Sequence, residues 1–168
     1  MRRVIMVYRN TLAIAIAATL TGCGLSDNPV QTKFYASCED HSKIAESVDW
    51  SKAETITVSY EDRGFSSALI EMEQGKPYIL RIENTENGPH WFRAVDFFRD
   101  SAITKTLYNN QEAPSKCLEG LALAASSVAE VHLVPSAINN YEFEDSPFIV
   151  PALGELLWNS DTGYIVVR

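Results

Sequence analysis

A histidine that follows a turn and opens an apolar run is the first place in this sequence to look for chemistry. Residues 85–98 read TENGPHWFRAVDFF, in which a dense turn cluster ends at Pro89 and His90 begins a stretch of aromatic and apolar residues. The imidazole there has two readings: a metal ligand, or a packing and hydrogen-bonding residue at the mouth of a strand. The other histidines offer less. His41 falls on the polar side of a short helical pattern in CEDHSKIAESVDW, where it is expected to face solvent, and His132 alternates with Val131 and Leu133, which turns it outward from a strand. Carboxylates are abundant, 22 Asp and Glu against 14 Lys and Arg, but an acidic surface supplies them without any acid or base role. No nucleophile elbow, phosphate-binding glycine loop or paired-histidine zinc motif occurs. A binding protein, and not an enzyme, is therefore expected.

Three cysteines remain, and their surroundings assign them different fates. Arg2, Arg3 and Arg9 precede the apolar run TLAIAIAATL, which is too short to cross a bilayer and ends in small residues, the anatomy of an export signal over residues 1–22. The run stops at Leu20-Thr21-Gly22-Cys23, which resembles the lipobox of bacterial lipoproteins. That resemblance implies a lipidated Cys23 as the mature N-terminus, several acyl chains anchoring it to membrane, and, because Gly24 and not aspartate follows, sorting to the outer membrane facing the periplasm. Cleavage removes three arginines and no acid, leaving 11 basic against 22 acidic groups, so the formal charge moves from −8 to −11. Such acidity disfavours nucleic acid as a partner. In an oxidising compartment Cys38 and Cys117 are then expected to pair as a structural disulfide, the competing role for Cys117 being a metal thiolate.

The elements that must position these residues follow from periodicity. Residues 23–36 include the polar stretch GLSDNPVQTK and read as a tether; the folded domain is expected over 37–168. A short helix between Cys38 and Trp50 turns Ile44, Val48 and Trp50 inward. TITVSYE alternates at period two, ALIEMEQG ends in a turn at Gln74-Gly75, and PYILRIEN alternates again. WFRAVDFF is apolar on both faces and reads as a buried strand or the start of a helix. RDSAITKTLYNNQEAPSKC reads as a helical or irregular insertion, long for a small β-domain. LALAAS, AEVHLVP, NYEFED, ELLWN and GYIVVR then return to strand patterning. Seven or eight short strands between turns predict an all-β sandwich or barrel.

In this order the elements resemble the cupredoxin family of Greek-key β-sandwiches over about residues 54–168. The likeness rests on GFSSALIEMEQGKPYILRIENTENGPHWF, where Phe65, Ser67, Gly75, Asn84 and His90 stand at family positions, and on AEVHLVP, NYEFED and TGYIVV. It implies a cupredoxin-like Greek-key sandwich with a short N-terminal helix and an irregular or helical insertion, and it makes His90 the counterpart of the first copper-binding histidine. The remaining copper chemistry is missing. The cysteine place falls at Asp145, the histidine loop SPFIVPALGELLWN holds no histidine, and the methionine place falls at Asp161. Cys117 and Met72 lie in the wrong segments to substitute, so no type 1 copper is expected.

What the resemblance leaves is an oxygen-rich end of the sandwich, where His90, Asp145, Asp161 and Glu144 would gather around Cu(II) or Zn(II). Trp50, Trp91 and Trp158 are expected to close the ends of the core, with Trp91 and Trp158 the pair placed to stack on a ligand. The expected protein is thus a lipid-anchored envelope module that binds a divalent ion at a non-type-1 site. The alternative is a metal-free scaffold that meets an envelope protein partner through residues 146–158 and 99–117.

Overall fold

Alternating burial along the strands builds the architecture. In Glu54–Glu61 the side chains of Val58 and Tyr60 are buried while Thr57 and Glu61 face solvent, and in Tyr78–Asn84 every second residue is buried. The computed structural model of the chain describes residues 30–32, 41–114, 117–146 and 161–168. The expected export signal, Cys23, the tether apart from residues 30–32, Cys38, and residues 147–160 with Trp158 lie outside the described residues.

Among the described residues the chain runs β1 (Val30–Thr32), α1 (Ser42–Glu46), a 3-10 turn (Trp50–Lys52), β2 (Glu54–Glu61), β3 (Gly64–Phe65), β4 (Leu69–Met72), β5 (Tyr78–Asn84) and β6 (His90–Arg93). It continues through α2 (Val95–Arg99), β7 (Ser101–Tyr108), β8 (Gln111–Ala113), β9 (Leu118–Leu123), β10 (Val128–Pro135), β11 (Asn139–Glu144) and β12 (Thr162–Val167). One sheet has the order β1-β9-β6-β11-β12-β4 and the other β3-β2-β5-β10-β7-β8. Pairing is antiparallel except for β12 with β4 and β2 with β5. The protein is an all-β sandwich with small helices. No helix among the described residues is long and apolar enough to cross a membrane.

The two sheets meet over one apolar core. Phe92 and Phe143 stack with ring centroids 4.8 Å apart, and Phe65 meets both edge-on at 5.8 and 4.9 Å, geometries that suit the ring quadrupoles. Gly163 lies opposite Phe143 in the β11–β12 register, and a Cβ placed there would come within 2.2 Å of the Phe143 ring. The glycine is the space that this ring fills. A smaller cluster lies outside the second sheet, where Ile44, Ala45, Val48 and Trp50 cover Ala102 and Val134. The inward turn of Ile44, Val48 and Trp50 matches the sequence reading, and the Trp50 indole N–H donates to the Ala45 carbonyl at 3.1 Å.

Three expectations require correction. The stretch read as a helical or irregular insertion is helical only through α2; from Ser101 it is strand. Residues 101–108 pair along β10, and Asn109 and Asn110, at φ 46° and 65°, form a two-residue hairpin turn into β8. Two left-handed residues in succession match the right-handed twist of a hairpin, and asparagine tolerates that conformation. His132 is the second. Its strand faces outward as expected, but that face is covered: Trp50 lies 6.0 Å away and His132 Nε2 is buried without a hydrogen-bond partner. His41 is also only half-exposed, with Nε2 3.2 Å from the Arg99 carbonyl.

Candidate functional site

A buried asparagine shapes the turn that carries the site. Asn84 ends β5 with its amide nitrogen donating to the carbonyls of Gly88, Leu123 and Ala124 at 2.7, 3.2 and 2.9 Å, while its Oδ1 accepts the Glu86 N–H at 3.0 Å. A buried amide must satisfy its polar atoms, and by doing so here it folds residues 85–89 and delivers the chain to His90 at the start of β6. Glu86 is fixed on its other side, where Oε1 accepts the backbone N–H of Arg63 at 2.9 Å from the β2–β3 turn. Asp62 and Arg63 in that turn have φ of 52° and 66°.

The imidazole of His90 is bounded on three sides. Its face stacks on Tyr60 of β2, ring centroids 3.5 Å apart and 25° between planes. Its Nδ1 lies 2.7 Å from Asp145 Oδ2, and Asp145 Oδ1 accepts the backbone N–H of Trp91 at 2.7 Å. Its Nε2 lies 3.5 Å from Glu86 Oε2. The side chains are 17% exposed for His90, 12% for Asp145 and 30% for Glu86, so the group is sheltered and still reached by solvent.

These contacts assign the tautomer. An ionised carboxylate only accepts, so the 2.7 Å contact makes Nδ1 the proton carrier, and a neutral imidazole then presents the Nε2 lone pair. That lone pair faces a second carboxylate. At 3.5 Å the two groups are spaced so that a cation could sit between them.

Asp161, just before the last strand, meets both Tyr60 and Asp145. The Tyr60 hydroxyl donates to Asp161 Oδ2 at 3.3 Å, and the Asp145 N–H donates to the Asp161 carbonyl at 3.0 Å. Burial first, then the negative charges of Asp145 and Asp161, push the Tyr60 phenol well above its usual range, so it remains a donor. Of the residues expected to gather here, His90 and Asp145 are in direct contact, and Asp161 joins them through the Tyr60 hydroxyl and the Asp145 backbone N–H. Glu144 is turned to Arg93, whose Nη1 donates to it at 2.6 Å. Trp91 contributes its backbone N–H, while its half-buried ring is not the one that stacks on His90. Cys117 is disulfide-bonded, and Cys38, its expected partner, lies outside the described residues.

Sequence reasoning did not single out Tyr60 or Glu86. Tyr60 looks like an ordinary inward residue of an alternating strand. Glu86 was detectable: it lies four residues before His90 within the same turn cluster.

Among the described residues no three His, Cys, Asp or Glu side chains converge at metal-binding distance. Among the described residues a thiolate copper centre does not fit this site. The position expected for its cysteine is Asp145, whose two oxygens are taken by His90 Nδ1 and the Trp91 N–H. The His90–Glu86 pair does fit a borderline divalent ion. Ligand atoms about 2.0–2.2 Å from a tetrahedral ion stand about 3.4 Å apart, close to the 3.5 Å between Nε2 and Oε2.

Comparison with known proteins returns structures alone, since no family model and no curated protein matches the chain. Auracyanin A, a "blue" copper protein from the green thermophilic photosynthetic bacterium Chloroflexus aurantiacus, is similar at 16% identity and TM-score 0.44, over 68% of this chain and 98% of its own. A mutant of amicyanin in its Cu(I) form is similar at 16% identity and TM-score 0.40, over 74% of this chain and 89% of its own. A reduced amicyanin mutant is similar at 15% identity and TM-score 0.41, over 79% and 92%. Likeness at this level carries no functional assignment, and the copper in those names belongs to those proteins.

Proposed function

We propose that this protein is an envelope lipoprotein whose sandwich binds a divalent cation between His90 Nε2 and Glu86, with Asp145 orienting the imidazole from behind. The observation that carries the reading is the Asp145–His90 hydrogen bond with Glu86 beyond it: one carboxylate fixes the ring and its tautomer, and the free nitrogen points at another. Carboxylate–histidine–metal arrangements work in this way, the outer carboxylate raising the basicity of the ligand. One imidazole and one carboxylate leave the other coordination positions to water, which suits Cu(II) or Zn(II) held exchangeably. Such a site stores or hands over an ion, with no thiolate to poise it for electron transfer.

Calorimetric titration of the purified protein with Zn(II) and Cu(II) tests this. One equivalent of uptake is expected, lost in His90→Ala and weakened in Glu86→Gln, and declining as acid adds a proton that competes for Nε2. Equal weak uptake by the unaltered protein and His90→Ala would remove the ion from the account. The alternative is then favoured by the same two carboxylates: a proton on Nε2 makes a charged clamp between Asp145 and Glu86, and the domain serves as an interaction module for an envelope partner.

Cys23 carries the lipid that holds the domain at the outer membrane, and Cys38 pairs with Cys117. Mass spectrometry of the native protein tests both: an unacylated Cys23 contradicts the anchor, and two alkylatable thiols without reductant contradict the bridge.

A further inference from the structure

The second outer face of the molecule holds a histidine that the cation site does not use. His132 lies in the middle of β10, in register with Ile79 of β5 and Lys105 of β7. On this face the helical segment, α1 and the 3-10 turn, packs through Ile44, Ala45, Val48 and Trp50. The Trp50 ring is 6.0 Å from the imidazole and tilted by 40°. The indole N–H is already spent on the Ala45 carbonyl, so it offers His132 nothing. His132 Nε2 is buried with no partner.

An unpartnered buried nitrogen is tolerable as a neutral lone pair and costly as N–H⁺. The charges nearest to it do little to offset that cost. Glu130 on the same strand is attractive but already held by Arg81 of β5, which Glu83 also binds, while Lys105 of β7 is repulsive. The exposed charges of the helical segment, Lys43, Glu46, Asp49 and Lys52, face solvent. A tilted indole at this distance is at the outer limit of cation–π attraction. Burial therefore dominates and lowers the His132 pKa below 6.5.

We propose that His132 is a pH-sensitive latch: neutral, it lets the α1–Trp50 segment lie on the second sheet, and protonated, it weakens that docking. The sign follows from linkage. With the pKa lower in the docked state than in the open one, the docking free energy is complete above about pH 6.5 and diminishes as pH falls through the lowered value. The segment lies between β1, which pairs with β9 in the first sheet, and β2 of the second, so its release on acidification loosens a connection between the two sheets.

Hydrogen exchange of the full chain tests the latch, following the Trp50 indole N–H and the Ser47 and Ala53 amides, which are bonded to Ala45, Ile44 and Trp50 carbonyls. After correction for intrinsic rates, protection of these groups should fall roughly fivefold or more between pH 7.5 and 5.5, while β5 and β10 core amides hold. His132→Phe should abolish the dependence. His41→Gln, a control at the other histidine beside this segment, should retain it. His132→Gln provides a second non-titrating variant if the phenylalanine disturbs packing. A persistent pH dependence in the non-titrating variants, its loss in His41→Gln, or no dependence in the unaltered protein would overturn the proposal.

Discussion

At the scale of single residues, the cation site depends on who holds the imidazole. Asp145 touches no ion in this account; it fixes the His90 ring through Nδ1 and is itself fixed by the Trp91 N–H. Asp145→Asn should therefore lower Zn(II) affinity by about 10- to 100-fold, the usual cost of losing an outer-shell carboxylate. Glu144→Gln should leave uptake unchanged, because Glu144 is bound to Arg93. Titrations of the two variants side by side check both statements, and equal losses would contradict the division of roles. Part of this site was legible in the sequence. His90 after its turn and Asp145 after the Tyr-x-Phe strand could be brought to one end of a sandwich by resemblance. Tyr60 could not, since its partner Asp161 is 101 positions away and an inward strand tyrosine has no local mark of function. Glu144 was misdirected because it ends β11 opposite Arg93 of β6 and is bound there, while Asp145, just beyond the strand, is the residue that meets His90.

Among elements, the hairpin β7–β8 shows where pattern reading went astray. TKTLYNNQEA lacks the glycine that usually announces a two-residue turn, and the β-branched residues before it were outweighed by polar ones. The paired asparagines were the available signal. Asn110, at φ 65°, should accept glycine with no loss of stability, whereas Asn110→Val should cost about 1–2 kcal/mol because a β-branched residue is forced into the left-handed region. Chemical denaturation of both variants measures this, and an unaffected valine variant would mean that the turn relaxes. Asn109 is less free to change, because its side chain also accepts the Val128 N–H at 3.0 Å. The alternating strands β2, β5, β10 and β11 were legible because one face of each is buried and the other is not. The two-faced WFRAVDFF was ambiguous for a real reason: it contains both β6 and α2.

For the molecule as a whole, the aromatic core is the joint between the sheets. Phe143 is fully buried and its ring occupies the volume over Gly163. Gly163→Ala should destabilise the fold by about 1–3 kcal/mol, since neither a Cβ at 2.2 Å nor a ring packed against Phe65 and Phe92 can move freely. A midpoint equal to that of the unaltered protein would show that the core has slack. This core also sets the site: Phe65, Phe92 and Phe143 hold β3, β6 and β11 together, and the adjoining Tyr60, His90 and Asp145 take their separations from it. The central claim, that the ion binds at Nε2 while Nδ1 stays with Asp145, is most directly tested by a long-range proton–nitrogen NMR spectrum of the histidine rings during Zn(II) titration. The expected result is a shift of the His90 Nε2 resonance to a metal-bound value with Nδ1 remaining protonated. Binding through Nδ1, or a His90 ring untouched by the ion, would contradict it.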